Sequence, residues 1–149
     1  MSVSVLGQSQ AAEALASAQL KIPLYLERVS AGFPSPAQDY VEDILDLNAL
    51  CIHHPSATFF VRVEGESMTG AGIYPGDILV VDRSLRASDG DYVIACLDGE
   101  MTVKELSLSN GVRLLPHNPH FQPIEMASDS ELEIFGVVTS VVRHIRRAG

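Results

Sequence analysis

The sequence predicts a mainly β fold, a curled and mostly antiparallel sheet with a short helix and an extended N-terminal arm. Three observations predict it. Beyond Pro55 the chain alternates short apolar runs with turns rich in Gly, Pro, Asp and Asn. One amphipathic stretch, residues 37–47, carries helical periodicity ahead of those runs. Residues 22–36 contain Pro23, Pro34 and Pro36, which forbid a continuous helix and favour extended backbone before each proline. At 149 residues the chain suits one compact domain plus an arm, and hardly two domains.

The elements follow in order. Residues 1 to about 20 are rich in Ser, Gln and Ala, and 10–20 have the composition of a short helix that is marginal in isolation. Residues 22–36 read as an arm lying on or near the body. In 37–47, Tyr40, Val41, Ile44, Leu45 and Leu47 recur at helical spacing, with Asp39, Glu42, Asp43 and Asp46 between them. Those carboxylates suit a solvated helix face better than a metal site. Strands are predicted over 58–63, 78–81, 92–97, 100–106, 112–115 and 132–142. Pro75-Gly76-Asp77, Asp89-Gly90-Asp91 and Asn110-Gly111 mark turns, and Asp98-Gly99 marks a two-residue type I′ hairpin loop.

Composition excludes several classes. Ten basic and 19 acidic residues give a formal net charge of -9, so a broad basic face for DNA is disfavoured, and with it sequence-specific DNA binding. Trp is absent and the nine aromatics offer no evident base-stacking platform. No apolar run approaches the roughly 18 residues that span a bilayer. No Lys or Arg precedes Lys21 and no continuous apolar run stands where a secretory leader would need one, so a cytoplasmic protein is expected. Cys51 and Cys96 lack metal-ligand spacing and read as small buried hydrophobes in a reducing compartment. No cofactor is expected. A metal site on His117 and His120 is disfavoured because the intervening proline leaves no regular helix to fix them.

Three features carry possible chemistry. The sequence has two lysines, Lys21 and Lys104. If Asp98-Gly99 is a two-residue loop, opposed residue numbers sum to 197, and Lys104 faces Val93 beside Ala95, Thr102 and Leu106. None of these offers a carboxylate, and Glu105 points to the other face. A lysine so placed is desolvated and its pKa falls, which makes it a general base; the same pattern also suits an edge-strand lysine that discourages aggregation. Ser67 lies in Gly65-Glu66-Ser67-Met68, where a strand ends in a glycine-flanked break able to aim a hydroxyl outward. An ordinary loop serine fits that pattern too. The histidine placements do not suit a Ser-His-Asp arrangement, but a Ser–Lys pair needs no histidine. Last, Ala31 and Gly32 form a bond with little steric cover in a proline-flanked arm, which composition alone reads as a linker.

Together these features resemble the UmuD family of SOS mutagenesis proteins, relatives of the cleavable domain of the LexA repressor. Four blocks carry the resemblance. They are Ala31-Gly32-Phe33-Pro34 with Tyr40-Val41-Glu42, His54-Pro55-Ser56-Ala57 running into Gly65-Glu66-Ser67-Met68, Gly76-Asp77-Ile78-Leu79, and Glu100-Met101-Thr102-Val103-Lys104 with the later Phe135-Gly136-Val137-Val138. The resemblance covers about residue 22 to the C-terminus, with the Ser-to-Lys spacing that the family uses.

The resemblance implies a LexA/UmuD C-terminal-domain-like fold and a self-cleaving serine peptidase. Ser67 is the implied nucleophile, Lys104 the general base, the Ser67 N–H an oxyanion donor, and Ala31–Gly32 the scissile bond. Residues 1–31 are then an arm removed by self-cleavage, and 32–149 a β-rich peptidase and dimerisation domain. A RecA filament on single-stranded DNA is the implied coprotease. The homodimeric product joins an error-prone Y-family polymerase subunit (UmuC-like) for translesion synthesis. The alternative is a non-catalytic dimeric adaptor for such a polymerase. Two departures matter. UmuD itself has Cys where Ala31 stands, whereas the LexA-type bond is Ala-Gly, and residues 1–20 have no family counterpart. The 31-residue piece is also too short for a helix-turn-helix domain with its own core, which disfavours a repressor. The basic tail, Arg143 to Arg147, reads as a solvated end or a docking patch.

Overall fold

The computed structural model describes residues 3–8, 22–25, 41–126 and 132–146. Among the described residues, ten strands and one α-helix follow one another: β1 (Val3–Gln8), β2 (Ile22–Tyr25), β3 (Val41–Leu45), α1 (Leu47–Cys51), β4 (Thr58–Val63), β5 (Ile78–Asp82), β6 (Tyr92–Leu97), β7 (Glu100–Ser107), β8 (Arg113–Leu115), β9 (Ile124–Glu125) and β10 (Leu132–Val142). Eight of them form one sheet in the order β1-β4-β5-β10-β6-β7-β8-β9, and β2 pairs with β3 in a separate ribbon. Every strand pair is antiparallel. The mainly β, antiparallel class expected from the sequence is the class observed.

The hairpin between β6 and β7 has the predicted register. Val93 opposes Lys104 and Ala95 opposes Thr102. Asp98 (φ 50°) and Gly99 (φ 84°) both lie in the left-handed region, as a type I′ loop demands. The last strand, β10, is the hinge of the sheet. Its first half pairs with β6 and its second half with β5, with irregularities at Ile134/Gly136 and Val138/Ser140. Such bulges bend a strand and increase its twist, which curls the sheet at its centre. Gly136 is required there, because a Cβ would sit 2.6 Å from Val81 Cγ1 and 3.2 Å from the Asp82 carbonyl.

Side-chain alternation divides the core between two faces. One cluster contains Val61, Val63, Met68, Ile73, Leu79, Val81, Ile94 and Val103. The other contains Val93, Ala95, Leu106, Leu114 and Val137. Lys104 faces the second cluster, and its neighbour Val103 faces the first.

The structure corrects the helix expected over residues 37–47. Val41–Leu45 is strand β3, paired with β2 through Ile22↔Leu45 and Tyr25↔Val41. The helix begins only at Leu47, where the Asp46 carboxylate accepts from the Asn48 N–H at 3.0 Å. Pairing to a distant strand satisfies the backbone of 41–45, and this outweighs an apolar spacing that fits either period. Asp46, placed by sequence on a solvated face, is the N-cap. Residues 10–20, where a marginal helix is expected, and residues 26–40 of the arm lie outside the described residues. Cys51 and Cys96 are free thiols, half-buried instead of buried. Among the described residues no helix is long and apolar enough to cross a membrane.

Candidate active site

Strand β4 ends at Val63, and Gly65 (φ 88°) turns the chain away from the sheet. Ser67 and Met68 follow, both fully buried. Met68 anchors the turn in the first core cluster. A 3-10 turn over Thr69–Ala71 then closes on Gly72 (φ 82°), and the chain returns to β5. The apolar anchor at Met68 therefore fixes where the preceding hydroxyl sits.

Lys104 comes from the middle of β7 and is only 5% exposed. Its Nζ lies 2.9 Å from Ser67 Oγ. Two further acceptors receive it, Thr102 Oγ1 at 2.7 Å and the Val103 carbonyl at 3.1 Å. Among the described residues no acidic side chain pairs with it. Burial alone pushes the Lys104 ammonium down to a pKa of about 8, since a low-dielectric site disfavours the charged form. A substantial share of the amine is thus neutral near physiological pH. Of the sequence-predicted residues, the fold brings Ser67 and Lys104 together; Ala31 and Gly32 lie outside the described residues, between β2 and β3.

The segment after β8 holds the serine loop from outside. The His117 N–H donates to the Ser67 carbonyl at 2.8 Å, and the Gly70 N–H donates to the His117 carbonyl at 2.6 Å. Asn118 Nδ2 donates to the Glu66 carbonyl at 2.9 Å. The His117 ring is itself engaged, with Nε2 2.9 Å from Glu105 Oε1. From the sequence, His117 suits neither a metal site nor a Ser-His-Asp arrangement, and this loop-holding place is not foreseen. The available signal was weak: a Pro-His-Asn-Pro turn, and a Glu directly after the lysine.

A second tie was also missed. Arg143 donates from Nε to Asp77 Oδ1 and from a terminal nitrogen to Asp77 Oδ2, both at 2.6 Å, and from that terminal nitrogen to the Gly72 carbonyl at 2.7 Å. Its guanidinium lies 4.5 Å from the Tyr74 ring centroid. Burial opposes ionisation of Asp77, but Arg143 and the Tyr74 N–H outweigh it and hold the pKa below the usual carboxylate value. Arg143 is therefore a structural staple on the serine loop and not a loose solvated end.

Residues 23–139 match the Peptidase S24-like family, most of the chain. The chain belongs to this family. It is 51% identical over 128 residues to protein SamA of Salmonella typhimurium, covering 86% of this chain and 89% of that protein. It is 52% identical over 125 residues to protein MucA of Escherichia coli, covering 83% and 86%. The LexA repressor of Xylella fastidiosa is 41% identical over 125 residues, which is 83% of this chain but 58% of that repressor. Within the Peptidase S24 family the protein is thus a UmuD-like SOS mutagenesis protein, as its sequence blocks implied. The family's LexA-like members are self-cleaving serine peptidases.

Proposed function

We propose that the protein cuts its own Ala31–Gly32 bond with Ser67 as nucleophile and Lys104 as general base. The observation that carries this reading is the buried 2.9 Å contact between Lys104 Nζ and Ser67 Oγ. An ammonium has three protons, and three acceptors surround it. After one proton is lost, Thr102 and the Val103 carbonyl retain the two N–H bonds, and the lone pair faces the Ser67 hydroxyl.

The steps follow from that geometry. Lys104 takes the Ser67 proton as Oγ attacks the Ala31 carbonyl carbon. The family pattern assigns the oxyanion to the Ser67 N–H. The tetrahedral intermediate collapses, the C–N bond breaks, and Lys104 returns the proton to the Gly32 amine. Water, deprotonated by Lys104, then hydrolyses the ester and releases the Ala31 carboxylate. Because the arm is tethered, binding becomes a local conformational equilibrium, and the fraction of arm in the pocket sets the rate with the chemistry. A RecA filament on single-stranded DNA fits that scheme as a stimulus favouring the cleavable pose. The product, residues 32–149, would act as a homodimer with a Y-family polymerase subunit in translesion synthesis.

The deciding experiment is incubation of the purified chain at about pH 10, where Lys104 is neutral, with fragment masses read by mass spectrometry. Wild type yields two pieces split after Ala31, whereas Ser67→Ala and Lys104→Ala stay whole. Equal cutting of all three removes the dyad. A chain that stays whole with RecA filaments yet binds the polymerase is the non-catalytic adaptor.

A further inference from the structure

We propose that His117, held by Glu105, is a positioning residue that fixes Ser67 relative to Lys104. The inference rests on the dyad reading above. Lys104 and Glu105 are consecutive on β7 and point to opposite faces. Lys104 reaches Ser67 directly. Glu105 reaches it through His117: the carboxylate meets Nε2 at 2.9 Å, and the His117 backbone then exchanges two hydrogen bonds with the serine loop, at Ser67 and Gly70. One strand therefore sets the base from one face and the nucleophile's backbone from the other.

Two further contacts narrow the freedom of this link. Glu105 opposes Tyr92 across the β6–β7 hairpin. The Tyr92 ring meets the His117 ring edge-on, with centroids 5.4 Å apart at 80°. At Gly70 a Cβ would stand 2.5 Å from the His117 carbonyl oxygen, so the approach of the two loops depends on glycine. The contact also survives the change in pH that activates the lysine. A carboxylate only accepts, so Nε2 is the donor whether the imidazole is neutral or charged.

The pair is partly open to solvent, with side chains 31% and 25% exposed. Ion pairs of that kind add little to stability, so their loss separates positioning from folding. The test compares His117→Ala, His117→Gln and Glu105→Ala with wild type in the full chain. Self-cleavage at about pH 10 is expected to fall roughly tenfold in both alanine variants and to recover within about threefold in His117→Gln, whose amide still donates to Glu105. Urea midpoints should stay near wild type.

A second readout does not need cleavage. Lysine side chains labelled with 13C at Cε give two signals, because the chain has only Lys21 and Lys104. In a Ser67→Ala background that keeps the chain whole, His117→Ala should raise the Lys104 midpoint from about 8 as water enters. A Lys104 midpoint unchanged by His117→Ala overturns the proposal, whatever the cleavage rate. If wild type does not cut itself, the dyad reading falls, and the Lys104 midpoint still decides the link.

Discussion

Thr102 stands two residues before Lys104 on the same face of β7, and its hydroxyl lies closer to Lys104 Nζ than the Ser67 hydroxyl does, at 2.7 Å against 2.9 Å. Thr102 therefore steers the amine as well as solvating it. Thr102→Val keeps the shape and removes the acceptor. The charged amine loses one of its three partners, so its midpoint moves below about 8. The freed N–H no longer fixes the lone pair on Ser67. The cleavage rate on the high-pH plateau is expected to fall about tenfold while the pH profile shifts towards acid. A rate-against-pH series on wild type and Thr102→Val separates the two effects.

Burial of Lys104 also predicts how stability depends on pH. Its folded pKa of about 8 lies below the roughly 10.4 of an unfolded lysine. Between those values the unfolded chain binds more protons, so stability rises with pH across that window and is flat on either side for this group. Relative to Lys104→Met, which carries no titrating amine, wild type should gain on the order of 3 kcal/mol from pH 7.5 to 10.5. Urea unfolding of both proteins, in a Ser67→Ala background to prevent cutting, measures the difference. A pH-independent difference would place the lysine pKa at its ordinary value. The cleavage rate should track the same group, rising about tenfold per pH unit below 8 and levelling above it.

These expectations also show what sequence can carry. The β6–β7 register followed from one Asp-Gly pair, because a two-residue loop leaves only one pairing. That placed Lys104 among apolar neighbours and separated it from Glu105. Strand order was not legible, since β10 inserts between β5 and β6 through pairs roughly 35 to 64 residues apart. The 37–47 stretch misled for a related reason: Val41, Ile44 and Leu45 fit a helix as well as a strand, and the partner β2 lies beyond the reach of local periodicity. Strand β1 was hidden in a segment read by composition alone. At the site, glycines around Ser67 signalled the bend. The loop that grips it, and Arg143 on Asp77, depended on tertiary closure that no spacing expresses.

Arg143 gives the third prediction. Asp77 is 1% exposed, whereas Arg143 is 42% exposed. Arg143→Ala leaves a buried carboxylate with only its backbone donor, and Asp77 must then be desolvated without its cation. Stability is expected to drop, by less than for a fully buried pair because water reaches one partner. The folded Asp77 pKa is depressed, so its contribution is present above the unfolded value and lost as pH falls through the folded one. Removing Arg143 should therefore move acid unfolding to higher pH. Circular dichroism against pH for wild type and Arg143→Ala tests this, with Arg143→Lys intermediate because a single ammonium cannot make the forked contact.

The arm yields the last prediction. The proposed cut lies in residues 26–40, between β2 and β3, and these two strands pair with each other. Upstream, β1 forms the edge of the main sheet on β4, from Val3↔Val63 to Gln8↔Phe59. Cutting after Ala31 thus breaks the chain without undoing either pairing. The piece 1–31 should stay attached after the bond is cut, and leave in a second, slower step. Size exclusion under native conditions should then show both pieces in one peak, with separation in urea. Adjacent prolines at Ser4 and Val5 remove two neighbouring amides, and in a strand one of the two must face the partner. That variant, held only by β2 on β3, should release the piece faster on cutting. Immediate release from the wild-type chain would show that the strands hold only while the chain is continuous.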